Sequence, residues 1–418
     1  MQSEKQMIDS GAVGTGRLWL VLVLGSLSAI GPLCMDMYLP ALPKLAQDMD
    51  TTASMAQLSL TACLFGLALG QLLVGPLSDS VGRRRPLAIG MLVYVLATLL
   101  CAVSPSIGVF VALRFVQGAA GAAGIVLSRA IARDLYDGPA LTRFFALLML
   151  VNGVAPIAAP AFGGQLLQLT SWRGVFWALA AIGLLMLAAV WLGMPESLPK
   201  ARRTAGGLAH SLRAVGRLLR DRRFMGYALT QGFVMTAMFA YIAGSPFVLQ
   251  EMYGVSVPMY TVVFGVNGIG IIIAGQIAGR LAGKVDEGRL LNAGLAMAGA
   301  GGLLLLVFVL TGVGIVGIIP SFFLLVSSVG LVSASSFSLA MRDEASAAGS
   351  ASALLGVLAF IGGGFAAPLV GIAGEDTALP MAIVIAAAEL GAIACCLLMA
   401  RRGGHVKPRA DVPELGRR

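Results

Sequence analysis

Long apolar runs dominate the chain, separated by short stretches of charge or by Pro/Gly turns. A hydrocarbon layer about 30 Å thick takes about 20 apolar residues per helix. On that measure the pattern predicts twelve spans: 17–40, 54–77, 86–104, 107–128, 143–168 and 174–194, then 224–249, 258–281, 289–311, 313–340, 346–373 and 378–400. The longest polar segment, 195–223, carries eight basic and two acidic residues. It divides the chain into a first six-helix bundle, 1–194, and a second, 224–400, followed by a basic tail, 401–418. The expected class is therefore all-α and integral to a membrane.

Composition excludes the soluble alternatives. Of 418 residues, 58% are hydrophobic and only 12% charged, the latter about half the usual share. Disordered chains, coiled coils and nucleic-acid-binding modules do not have this balance, so the net charge of +9 concerns orientation rather than an anionic macromolecule. With both termini on the cytoplasmic side, 26 of the 29 Lys/Arg residues are cytoplasmic, Lys44 and Arg173 are outside and Arg114 lies within a span. Shifting the count by one span inverts this asymmetry, so twelve spans and cytoplasmic termini are mutually consistent. The linker is expected to lie on the anionic surface of the bilayer. Cys34, Cys63, Cys101, Cys395 and Cys396 all sit in apolar runs and read as small packing residues. The first apolar run is too long for a cleavable signal peptide. A multi-pass protein of a bacterial plasma membrane is expected, monomeric, with the lipid bilayer as its main partner.

Six spans plus six predict an internal duplication. Gly75, Leu77 and Ser78 have an echo 204 positions later at Gly279, Leu281 and Ala282, after the second span of each half. The loop after the second span, Gly75-Pro-Leu-Ser-Asp79-Ser-Val-Gly82-Arg83-Arg-Arg-Pro86, carries the sharpest motif. Gly75 and Gly82 allow close helix approach and a tight turn, Asp79 suits a helix N-terminus, and Arg83 to Arg85 anchor the loop. The spacing resembles the signature loop of the major facilitator superfamily, which implies a twelve-helix transporter with Asp79 in a cytoplasmic latch. The fourth span contributes Arg114-Phe-Val-Gln117-Gly118, similar to that superfamily's motif for proton coupling. An arginine inside a span needs a partner, an aqueous cavity, or room to snorkel outward. The fifth contributes Pro156 and Pro160 followed by Gly163 and Gly164, similar to the family's antiporter motif except that Ala159 stands where glycine precedes the proline. The small residues allow close packing, for which the eighth span, rich in Gly and Ala, is the expected partner.

Asp36 lies in Met35-Asp36-Met37-Tyr38-Leu39-Pro40-Ala41-Leu42-Pro43. An acid there is costly unless paired or protonated, which suits proton exchange, the alternative being a carboxylate that merely lies near the outer headgroups. The string resembles drug:proton antiporters of the bicyclomycin and chloramphenicol/florfenicol resistance subfamily, as do Ser128–Tyr136 and Ser171-Trp172-Arg173. The resemblance implies antiport of small amphipathic drugs against protons, with Asp36 and Arg114 coupling the two. The expected pocket is formed by Met35, Asp36, Tyr38 and Gln117 with Met235, Met238, Phe239 and Tyr241 from the seventh span. Glu389, midway along the last span, belongs to no motif; it could face lipid, pair with a polar neighbour, or line the cavity. A metabolite exporter or an uptake symporter on the same fold remains an alternative. No hydrolase, metalloprotease or P-loop motif is present, so neither an enzyme nor a bound metal or cofactor is expected.

Overall fold

A backbone crossing hydrocarbon has no water to bond, so an apolar run must close its hydrogen bonds internally. The computed structural model describes residues 13–136, 138–203, 213, 215–342, 348–374 and 377–400, and the apolar runs in it are helical. The tail 401–418 and residues 204–212 and 214 of the linker lie outside the described residues. The first half contains α1 (Val13–Ser28), α2 (Ile30–Asp36), a 3-10 turn (Leu39–Ala41), α3 (Leu42–Asp48), α4 (Ala53–Val81), α5 (Arg84–Ala102), α6 (Ile107–Leu135), α7 (Gly138–Leu169) and α8 (Trp172–Gly193). The second contains α9 (Arg222–Pro246), prolonged by a π-helical turn (Phe247–Met252), then α10 (Val257–Leu281), α11 (Glu287–Thr311), α12 (Ile315–Met341), α13 (Ala348–Val370) and α14 (Leu379–Cys395), prolonged by a second π turn (Cys396–Ala400).

Helix starts follow the polar caps. Thr52, Asp221 and Asp286 accept hydrogen bonds from backbone N–H groups of the first turns of α4, α9 and α11. Ten helices among the described residues are long and apolar enough to cross a membrane, and the bent pair Trp19–Ser28 with Ile30–Asp48 makes eleven if counted as one span. That is one short of the expected twelve. The fifth expected span, 143–168, falls inside the 32-residue α7, several of whose side chains lie outside the described set.

The first span also departs from expectation. Rather than one continuous helix over 17–40, it breaks after Ser28, bends by 42° and runs on to Asp48. Prolines explain the breaks. Pro32 has no N–H for the Ser28 carbonyl, Pro40 none for Asp36, and Pro43 none for Leu39. Asp36 is thus the last residue of a seven-residue helix, beside a carbonyl that the helix cannot satisfy.

Within each half, glycines bring helices into backbone contact. A Cβ added at Gly66 would overlap the Phe115 carbonyl of α6, and one at Gly118 the Cys63 carbonyl of α4. The duplicated arrangement recurs 204 positions on, where a Cβ at Gly270 of α10 would overlap Ser327 of α12. Gly75, by contrast, lies at ordinary distance from Val126, 3.7 Å from where its Cβ would be, and Gly279 has open space around it. Gly75 and Gly279 therefore do not bring helices together in this conformation.

The halves meet along α4 with α13 and α7 with α10. Their hydrogen bonds to each other lie at the end away from the linker. Ser54 donates to the Pro368 carbonyl (3.0 Å), Gln57 to Ala243 (3.1 Å), Thr61 to Gly364 (2.7 Å), and Gln250 to Pro40 (3.4 Å). Gln47 reaches Glu251 across 3.5 Å. At the linker end, the ties of Arg83 with Asp79 and Asp134, and of Glu287 with Ser338 and Arg342, each lie within one half.

Candidate functional site

Arg114 points inward and is completely buried, so it does not snorkel. Its Nη1 donates to Gln117 Oε1 one turn on, and Gln117 Nε2 donates to Thr98 Oγ1 of α5 at 2.7 Å. The guanidinium lies over the Tyr38 ring at 4.4 Å from its centroid and 5.7 Å from that of Phe176. A desolvated cation over an aromatic face is favourable by about 2 kcal/mol. Tyr38 is held in turn by a 3.0 Å hydrogen bond to Ser59. Arg114 Nε and Nη2 have no hydrogen-bond partner among the described residues.

Asp36 lies two residues from Tyr38 and is 5% exposed. It forms no ion pair with Arg114. Both instead lie within electrostatic range of Cys63, and Asp36 also of Tyr241 and Tyr260 in the second half. A second polar cluster lies in the second half. In the second cluster Asn267 donates to the Tyr241 hydroxyl at 2.9 Å, and Tyr241 packs against Phe264 and Phe322. The antiporter motif reaches the same place, because a Cβ at Gly163 of α7 would overlap the Met37 carbonyl. Gly164 faces Thr261 of α10, and Gly268 of α10 faces Ile157.

The expected pocket divides. Met35, Asp36, Tyr38 and Gln117 are buried in the first half and Tyr241 in the second, where it meets Phe264 and Phe322, but Phe239 turns toward Phe360 and Gly363 of α13. Residues two apart on a helix cannot share a face, so Phe239 and Tyr241 have different neighbours. Met238 is buried and Met235 half-buried. Thr98, Ser59 and Asn267 are partners that sequence reading did not single out. Each is an isolated polar residue in an apolar run, and neither period nor motif marks it.

Glu389 is 1% exposed, so it does not face lipid. It lies against Gly302 of α11, and neither carboxyl oxygen has a hydrogen-bond partner among the described residues. Among the described residues no group of three or more His, Cys, Asp or Glu side chains could hold a metal ion.

At the linker end Gly82 adopts φ +103°, which a side chain would disfavour, and the turn delivers Arg83 into a knot. Arg83 binds Asp79 Oδ1 at 2.5 Å and Asp134 Oδ2 at 2.9 Å, and Ser197 donates to Asp134 at 3.1 Å. Asp79 is paired here within its own loop, with its side chain 42% exposed. Burial works against the Arg83 charge, but the two carboxylates outweigh it and raise its pKa. Glu196 accepts from the Arg83, Arg84 and Leu198 N–H groups. Burial alone would raise its pKa, but those N–H groups and nearby Arg203 hold it below the usual carboxylate value. In the second half Glu287 takes hydrogen bonds from Ser338 and Arg342, both at 2.9 Å. Glu287 and Ser338 stand 204 positions after Arg83 and Asp134: the same tie is rebuilt with the charge moved to the opposite member.

Residues 24–367 match the profile of the Major Facilitator Superfamily. A relative from Bacillus subtilis, described as an uncharacterised transporter of that type, is 44% identical over 395 residues, covering 94% of this chain and 98% of its own. A bicyclomycin resistance protein homolog from Haemophilus influenzae is 32% identical over 88% of this chain and 92% of its own length. A solved D-xylose-proton symporter superposes with a TM-score of 0.72 at 15% identity, covering 90% of this chain and 97% of that one, a likeness of fold alone.

Proposed function

The chain belongs to the major facilitator superfamily, and from that premise we propose that it is a proton-coupled antiporter exporting small amphipathic drugs, phenicol- or bicyclomycin-like. In this reading α7 completes a set of twelve spans, the linker end is cytoplasmic, and the two halves rock about a site at their interface. The observation that carries it is the buried cluster of Arg114, Gln117, Thr98 and Tyr38 beside Asp36. A polar network of this kind inside a membrane bundle is expensive and is kept where protons or substrates pass. Similarity to the Haemophilus influenzae protein favours drugs over metabolites.

Asp36 is the proton carrier. The hydrogen bonds between the halves at the end away from the linker support reading this state as inward-facing, closed at the outer end. Drug entering beside Asp36 displaces its proton to the cytoplasm; in the outward state a proton from the acidic side restores it and releases the drug. Arg114, not paired with Asp36 in this state, acts through its field and offers its two spare donors to an acceptor on the drug. The apolar walls are Met35, Tyr38, Met238 and Tyr241; methionine adapts to ligands of different shape. One pH unit supplies about 1.36 kcal/mol per proton and 100 mV about 2.3 kcal/mol per charge, so modest gradients drive one-proton exchange.

The test is pH-driven drug transport in proteoliposomes, preceded by a susceptibility panel in a pump-deficient host to find the drug. A gradient acid on the outer side should drive drug toward that side, and Asp36→Asn should reduce this to background while leaving the protein folded. Drug movement in the same direction as the protons would establish an uptake symporter instead.

A further inference from the structure

A second site lies outside the transport pathway, where α5 begins and α8 ends. A cavity of about 510 Å³ is lined there by Arg84, Arg85, Ala88, Trp191, Glu196, Lys200 and Arg203, a volume within the range of ligand sites. Four of the seven are cations and one is an acid. Glu196 is already committed to the Arg83, Arg84 and Leu198 N–H groups, with Arg203 Nη2 at 3.9 Å. Arg84 spends one donor on the Trp191 carbonyl at 2.6 Å, and Arg203 one on that of Leu198 at 3.3 Å. The side chains of Arg85 and Lys200 have no hydrogen-bond or ion-pair partner among the described residues, and both residues are exposed. The cavity therefore has an excess of positive charge that the protein itself leaves unmatched.

Its position identifies what matches it. The cavity sits where the charged turn gives way to the apolar belt, and beside it the outward faces of both helices are greasy: Ile89 and Leu92 on α5, and Leu184, Leu185, Trp191 and Leu192 on α8 are all exposed. Trp191 is both a wall of the cavity and part of that face, the depth at which an indole prefers to lie. A ligand that fits must present an anion to Arg85 and Lys200 and hydrocarbon to the groove below them.

We propose that this cavity binds the headgroup of an acidic phospholipid, its phosphate between Arg85 and Lys200 and its acyl chains along the exposed faces of α5 and α8. Bound there, the lipid bridges the turn after α4 to the start of the linker, reinforcing the tie already made by Glu196. The site needs only that the chain spans a membrane, and not that it exports drugs or uses Asp36.

Fluorescence of Trp191 tests the proposal. The protein is reconstituted in vesicles of zwitterionic lipid containing a minority of brominated phosphatidylglycerol or, separately, brominated phosphatidylethanolamine, and the Trp191 signal is taken as the difference from Trp191→Phe. Brominated phosphatidylglycerol should quench Trp191 well beyond its mole fraction, and Lys200→Gln and Arg85→Gln should each lower the apparent affinity roughly fivefold. Lys200 lies outside the spans, so its variant guards against a folding defect at Arg85. Glycerol phosphate in solution should leave the quenching unchanged; relief by it would assign the cavity to a soluble anion. Equal quenching by the two brominated lipids would overturn the proposal. Transport is not part of the readout, so the drug-export reading can fail while this one stands.

Discussion

Asp36 and Arg114 are both buried and unpaired with each other, so each must be tested by itself. Arg114→Ala removes the cation over Tyr38 and leaves Gln117 without its donor; the variant should bind drug more weakly and, even at saturating drug, lose drug-induced proton release, measured in weakly buffered detergent solution. Unchanged release would make Arg114 a packing residue. Glu196 offers a test of a different kind. Its pKa is depressed in the folded state, so its contribution to stability is complete above the unfolded carboxylate value, about 4.3, and fades as pH falls through the lower folded one. Thermal unfolding should therefore show Glu196→Gln less stable than the parent at pH 7 and the two converging in acid; a gap that widens toward low pH would contradict the hydrogen-bond account. Much of this was legible in the chain, because a charge inside an apolar run is conspicuous wherever it points. What the run does not show is direction or partner. Thr98 and Asn267 are found only when three helices are brought together, and Glu389 lies inside, against Gly302, for no reason the sequence supplies.

Helices were easier to read than the way they pack. Apolar length located the runs well, but the first span was expected unbroken because hydropathy is blind to the missing N–H groups of Pro32, Pro40 and Pro43. The break matters, since it ends α2 at Asp36. The duplication was inferred from Gly75 and Gly279, yet its better record is the contact of Gly66 and Gly270 with α6 and α12 and the matched ties at Arg83–Asp134 and Glu287–Ser338. These are invisible until the helices pair, because the tie in the second half carries its charge on the opposite member. The contrast predicts stabilities. Gly66→Val should cost about 1–3 kcal/mol or more by overpacking against the α6 backbone, lowering the unfolding temperature in detergent. Gly279→Ala, with nothing within 4 Å, should be neutral or slightly stabilising. Equal effects of the two would mean that α4 and α6 are not in close contact.

At the scale of the whole molecule, the halves are fastened to each other at the end away from the linker, while the ion-paired ties at the linker end stay within one half. Each neutral hydrogen bond is worth about 0.5–1.5 kcal/mol net, so deleting one should change the ratio of inward to outward forms by about twofold to tenfold. Spin labels at positions 44 and 252, in a background without the native cysteines, would report it: Thr61→Val should enlarge the population with widely separated labels, and an unchanged distribution would show that Thr61 does not help close that end. On the proposed reading this asymmetry opens Asp36 to one side at a time, as proton-coupled exchange requires. The most direct measurement is therefore proton release on addition of a transported drug to the purified protein at near-neutral pH, comparing the parent with Asp36→Asn. The account predicts about one proton per drug bound from the parent and none from Asp36→Asn, with the variant still folded; equal release from both would contradict it.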